Sequence, residues 1–139
     1  MRTRTLGTAA LAVLALTAAS APVQAPDPYD VVLHAGDVMV PMRDGVRLAT
    51  DVYRPARGGV PVETPLPVLL QRTPYGKEGR GLVERAGYFV SHGYVVVLQD
   101  TRGRYESEGT FSKYHDFDAT DGYDTVSYTH LTLPTKRIV

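Results

Sequence analysis

Two short apolar runs, separated by a segment of helical periodicity, set the tightest limits on how this chain folds. The first is Val68-Leu69-Leu70, inside the stretch Pro67–Lys77 (PVLLQRTPYGK). The second is Tyr94–Leu98, rich in valine and without polar interruption. Between them, after Gly79, come Leu82, Val83, Ala86, Phe89 and Val90. Their spacing of i, i+1, i+4, i+7 and i+8 gives one apolar helix face. Gly87 within that segment costs about 1 kcal/mol relative to Ala, and Gly93 is placed to end the helix. The order is strand, loop, helix, strand, which makes a βαβ unit with a right-handed crossover. An unbroken apolar run suits a parallel strand covered on both faces. Tyr94–Leu98 therefore needs strand neighbours on both sides, which the rest of the chain is expected to supply only in part.

Upstream, Val31–Met42 reads as a strand with Val38, Val40 and Met42 on one face. Arg43-Asp44-Gly45 is a turn, because Asp-Gly favours tight hairpins. Val46, Leu48, Thr50 and Val52 then alternate with Arg47, Ala49, Asp51 and Tyr53, the pattern of a half-buried antiparallel strand. Asp37–Arg54 is thus a predicted β-hairpin. Pro55–Pro67, with four prolines and two glycines, is a loop on composition. Gln99–Tyr114 is a long polar loop at the carboxyl end of the second apolar strand. Asp116–Val126 is acidic and begins a helix, since early acids favour the positive end of the helix dipole. Ser127–Val139 fits none of these patterns.

At 139 residues the chain holds one domain at most. Its formal net charge is +0 and the two signs are mixed along it, so nucleic acid is not an expected partner. The absence of cysteine excludes disulfides, Cys-ligated zinc and a Cys nucleophile. Residues 1–25 read as an export signal: Arg2 and Arg4, then an apolar core from Leu6 to Ala19, then small residues up to Ala21 and Ala25. The core is shorter than the roughly 20 residues of a membrane span. The expectation is an exported protein with no membrane segment once the signal is removed.

Chemistry has few obvious seats. The nucleophile elbow Gly-x-Ser-x-Gly does not occur in this sequence. Ser91-His92-Gly93 reads as a helix-end cap, and His34, His115 and His130 have no Ser partner by spacing. Asp116, Asp118, Asp121 and Asp124 with Gly122 approach a calcium loop, but the third acid and the Gly each come one residue late. A solvated, helix-starting acidic face fits better, and no metal or cofactor is expected. Gly76-Lys77 lacks the surroundings of a phosphate loop. The mixed charges Asp100, Arg102, Arg104, Glu106 and Glu108 read as an ion-pair network that holds their loop, with substrate contact as the other reading. Tyr75 sits in the loop at the carboxyl end of the first apolar strand, where open α/β sheets bind ligands. Local chemistry allows two roles for it. Its ring packs in a turn, or its phenol donates to a developing oxyanion.

Taken in order, PMRDGVRLATDVYRP, PVLLQRTPYGK, GYVVVLQDTRGRYESEGTF and DGYD resemble the cocaine esterase and Xaa-Pro dipeptidyl-peptidase (CocE/NonD-type) family of serine hydrolases. The resemblance covers Val31 to Val126. It implies an α/β fold of the α/β-hydrolase type, incomplete here, with an N-terminal β-hairpin and the first βαβ unit of the sheet. It also implies hydrolysis of a small ester, amide or peptide substrate through a Ser-Asp-His triad and an acyl-enzyme. The family places the hydroxyl of the Tyr matching Tyr75 in the oxyanion hole, beside a backbone N–H next to the nucleophilic Ser. Asp100-Thr101-Arg102-Gly103 matches a family signature, taken as scaffolding. Ser127–Val139 departs from the family pattern. The resulting division is signal peptide 1–25, N-terminal part of a catalytic domain 26–126, and an unmatched tail 127–139. On this reading the triad lies outside the chain and the chain alone is inert. The alternative is a secreted, non-catalytic module that binds a ligand or calcium.

Overall fold

A long hairpin and a βαβ unit share one mixed sheet. The computed structural model describes residues 27–112 and 117–132. Strands β1 (Asp30–Pro41) and β2 (Arg47–Arg57) form the hairpin, and β3 (Val60–Pro61) folds back on β2. Then follow β4 (Val68–Thr73), α1 (Arg80–Ser91), β5 (Val95–Asp100) and α2 (Asp118–Thr132). The strand order is β1-β2-β5-β4, with β3 also paired to β2. The β2–β5 pair is antiparallel and the β4–β5 pair is parallel, so β2 joins hairpin to βαβ unit.

The turn of the hairpin forms at Arg43-Asp44-Gly45 as expected. Gly45 N–H donates to Met42 O at 2.9 Å and Met42 N–H to Val46 O at 2.8 Å. Both strands extend beyond the expected Asp37–Arg54, and β2 and β3 occupy part of the segment expected to be loop. Strand β2 is also not half-buried. Its alternation separates two cores rather than core from water. On one side Leu48 packs with Val40 and Met42, and Val52 with Val95 and Val97. On the other, Tyr53 joins the cluster under α1. Asp51 and Arg54 are consequently as buried as their apolar neighbours.

The helix matches its predicted face. Ala86 and Val90 pack on Val96 and Leu98, with Leu82, Val83 and Phe89 around them. The fully buried Val90, Val96 and Leu98 side chains contribute about 1.5–3 kcal/mol each. The helix ends at His92 in a Schellman arrangement: Gly93 N–H donates to Val90 O and Tyr94 N–H to Phe89 O. All six residues of β5 are buried. It has strand neighbours on both sides, β2 and β4, where the sequence suggested only partial provision. Beyond the sheet, α2 begins at Asp118 and continues past Val126 to Thr132. Its Tyr128 packs against the Val40, Met42 and Leu48 cluster.

Candidate active site

The carboxyl ends of the parallel pair β4 and β5 bring together the PYGK loop and the loop that starts at Thr101. Tyr75 of the first loop lines one cleft with Tyr105 and Glu106 of the second. Its backbone N–H donates to Thr73 Oγ1 at 3.1 Å, a side-chain-closed turn at the end of β4. Its side chain does not pack in a turn. Tyr75 is 81% exposed and borders a cleft of about 180 Å³, together with Lys77, Gly79, Asp100, Tyr105 and Glu106. The Tyr75 side chain is therefore open to solvent on the rim of this cleft at the strand ends.

Lys77, two residues on, fixes this loop from inside the protein. It is 1% exposed. Its Nζ lies 2.7 Å from Asp37 Oδ1 and 3.1 Å from Asp51 Oδ1. Its backbone N–H donates to Asp100 Oδ1 at 2.7 Å. Burial pulls the ammonium pKa down, but the hydrogen bonds and charges of Asp37 and Asp51 outweigh it and leave the value raised. Asp37 reaches Lys77 from an irregular stretch of β1, where the register shifts and Asp37 takes φ 51°. A left-handed backbone at a non-glycine residue is uncommon, and here it aims the carboxylate at Nζ. Asp100 is also buried, and burial pushes its pKa up, against the Lys77 and Glu106 N–H groups that pull it down. Sequence reading considered Lys77 only as a phosphate-loop residue. In the sequence Asp51 alternates with apolar residues just as Arg47 does, so nothing there marks its need for a buried cation.

The charged loop after β5 is held by ion pairs, but to partners outside it. Arg102 donates to Asp121 at 2.6 and 3.0 Å and to Asp44 at 2.7 and 3.2 Å, so it links α2 to the hairpin turn. Hydrogen bonds to Asp121 contribute most to the raised pKa of Arg102, which burial opposes and Asp44 supports. Glu108 pairs with Arg47, and Arg104 Nε donates to Pro74 O at 2.9 Å. Gly103 has φ 66°, and a Cβ there would meet Phe111 N at 2.2 Å, so the loop's backbone closes on itself only with glycine.

The acidic run is not a solvated face. Asp121 is 2% exposed and lies between Arg72 and Arg102, Asp118 pairs with Arg72, and Asp124 is bidentate with Arg43. These carboxylates neutralise arginines that bind α2 to the sheet. Asp116 and His115 lie outside the described residues, as do the side chains of His34 and His130. Ser91 and His92 cap the exposed end of α1, both directed at the Tyr88 carbonyl.

Residues 44–133 match the family model of the X-Pro dipeptidyl-peptidase (S15 family). The chain belongs to this family. Its members are serine hydrolases of the esterase and dipeptidyl-peptidase type. The chain is 48% identical over 102 residues to the cocaine esterase of Rhodococcus sp. (strain MB1 Bresler). That similarity covers 68% of this chain and 16% of the esterase, so the chain spans about a sixth of that relative's length. Among solved structures, an α-amino acid ester hydrolase is 31% identical with a TM-score of 0.59, covering 81% of this chain and 21% of its own. An aminopeptidase from a marine sediment Thaumarchaeota archaeon is 27% identical with a TM-score of 0.61, covering 86% and 22%. A CocE/NonD family hydrolase from Staphylococcus aureus, at 24% identity and a TM-score of 0.60 over 73% of this chain and 21% of its own, shares the fold. The hairpin and βαβ unit are thus part of an α/β-hydrolase sheet.

Proposed function

We propose that this chain supplies the oxyanion-stabilising side of a serine hydrolase that cleaves small ester or amide bonds, Xaa-Pro peptides included. Tyr75 is its donor. The observation that carries the reading is the exposed Tyr75 side chain on the rim of the cleft at the ends of β4 and β5, on a loop anchored by buried Lys77. When a serine hydroxyl attacks a carbonyl, the C=O electron pair moves onto oxygen. A donor already in place stabilises that charge without reorganisation, and losing one such donor costs about 10²–10³ in turnover. The second donor is a backbone N–H beside the nucleophile. No Gly-x-Ser-x-Gly occurs in these 139 residues, and we place the Ser-Asp-His triad outside them. The chain alone accordingly gives no turnover of an activated ester.

The same reading takes residues 1–25 as an export signal, supported by Arg2, Arg4 and the apolar core that follows. The test of function is a chimera. The matching 102 residues of the Rhodococcus esterase are replaced by those of this chain, and cocaine hydrolysis is measured. Retained hydrolysis supports the assignment. A folded chimera without hydrolysis, or turnover by the chain alone, overturns it.

A further inference from the structure

Resting on Tyr75 as the donor, we propose that Arg104 and Tyr105 are its positioning residues, acting as a clamp on the two residues that flank it. Tyr75 is 81% exposed, so its own side chain is held by few neighbours. The direction of the phenol must then come from the backbone at residues 74 to 76. Arg104 Nε holds the carbonyl of Pro74 at 2.9 Å. The Tyr105 ring lies on Gly76, so close that a Cβ there would be 3.1 Å from Cε1 and 3.2 Å from Cζ. Two consecutive residues of one loop thus grip both chain neighbours of Tyr75. Gly76, at φ 96°, is the residue this approach requires.

The clamp is itself rigid. Tyr105 takes φ 47°, a conformation a non-glycine residue keeps only when its surroundings dictate it. Those surroundings are visible. Arg104 N–H donates to Thr101 O and Ser107 N–H to Arg104 O, at 3.0 and 2.9 Å. Ser107 Oγ donates to Asp100 O at 2.7 Å and accepts from Ala49 N–H at 2.9 Å. The Arg104 guanidinium lies 5.5 Å from the centroid of the Tyr105 ring and 5.1 Å from that of Phe111. The left-handed turn directs one edge of the Tyr105 ring back over Gly76, while the rest of the ring stays open to solvent. An oxyanion donor functions only if held within roughly 0.5 Å of its productive place, and this clamp provides that constraint.

The experiment measures amide hydrogen exchange at Tyr75 and Lys77 in the ¹⁵N-labelled full chain. Tyr105→Gly removes the ring and relieves the left-handed strain. The clamp predicts exchange at these amides at least about tenfold faster, with a melting temperature unchanged or higher. Tyr105→Phe keeps the ring and should restore wild-type exchange. Arg104→Leu should loosen the same amides. If Tyr105→Gly lowers protection throughout, Arg104→Leu decides. Wild-type exchange at residues 75 and 77 in Arg104→Leu overturns the proposal, as does wild-type exchange there in a stable Tyr105→Gly. The readout involves no turnover. A failed clamp therefore leaves the Tyr75 assignment standing, and a catalytically silent Tyr75 leaves the clamp standing.

Discussion

Replacing Lys77 with Met removes the one cation that pairs with Asp51 among the described residues. Met keeps the length and apolar stem of lysine, so packing changes little. The two carboxylates respond differently. The Asp37 side chain is 65% exposed and rehydrates at little cost. The Asp51 side chain is 6% exposed and is left as a buried, unpaired charge. Removing one partner of a buried pair costs about 3–5 kcal/mol, and with Asp37 relaxing the lower end, about 3 kcal/mol, applies. That is a large share of the roughly 5–15 kcal/mol by which a domain is stable. With a urea slope of about 1–3 kcal/mol per molar, the unfolding midpoint falls by about 1–3 M. Adding Asp51→Asn to Lys77→Met removes the stranded charge and should recover about 1 kcal/mol or more, a coupling read directly from the double-mutant cycle. The folded pKa of Lys77 is raised above its ordinary value of 10.5. Its stabilisation is therefore complete below pH 10.5 and fades as pH rises through the folded value. The stability gap between wild type and Lys77→Met should narrow over that alkaline range. A loss under about 1 kcal/mol, or strictly additive single mutants, would refute the buried Lys77–Asp51 pair as the anchor of the Tyr75 loop.

Other consequences are open to simple assays. Hydrogen bonds from Arg102, Arg47 and Arg43 lower the pKa values of Asp44, Glu108 and Asp124 from ordinary values of 3.8, 4.5 and 3.8. Their contribution is present above those values and is lost as pH falls through the depressed ones, so the melting temperature should drop below about pH 4.5. Added salt should weaken this acid limb, because the pairs are exposed. Gly103→Ala must accept a left-handed backbone and a clash with Phe111 N. These should cost about 2–4 kcal/mol in urea unfolding, whereas Gly81→Ala, which meets open space, should be neutral or stabilising. N-terminal sequencing of secreted material should begin after Ala21 or Ala25, and a retained Met1 would contradict an export signal.

The elements with strong periodicity were legible in the sequence. The Leu82 to Val90 face, the valine run of β5 and the Asp-Gly turn of the hairpin all lie where local pattern places them. What pattern could not supply was tertiary. The alternation in β2 resembles that of a strand with one wet face, because Asp51 and Arg54 carry no mark of their buried surroundings. Only the pairing with β5 and the cover of α1 make both faces interior. The acidic run of α2 showed the same ambiguity. Its residues read as solvated until Arg43, Arg72 and Arg102, distant in sequence, are brought onto them. At the proposed site, Tyr75 was singled out through the ordered set of neighbouring motifs, since Pro-Tyr-Gly alone describes any turn. Lys77 and Tyr105 were not found. Their roles depend on a register irregularity in β1 and a left-handed backbone, features that side-chain pattern does not encode.

The most direct measurement is kcat for Tyr75→Phe in the esterase chimera. Phenylalanine keeps the ring and removes only the hydroxyl. The account predicts that kcat falls by about 10²–10³ while KM stays near its starting value, because the phenol acts on the charge that develops during attack. A folded Tyr75→Phe chimera with kcat within about threefold of its parent would contradict it.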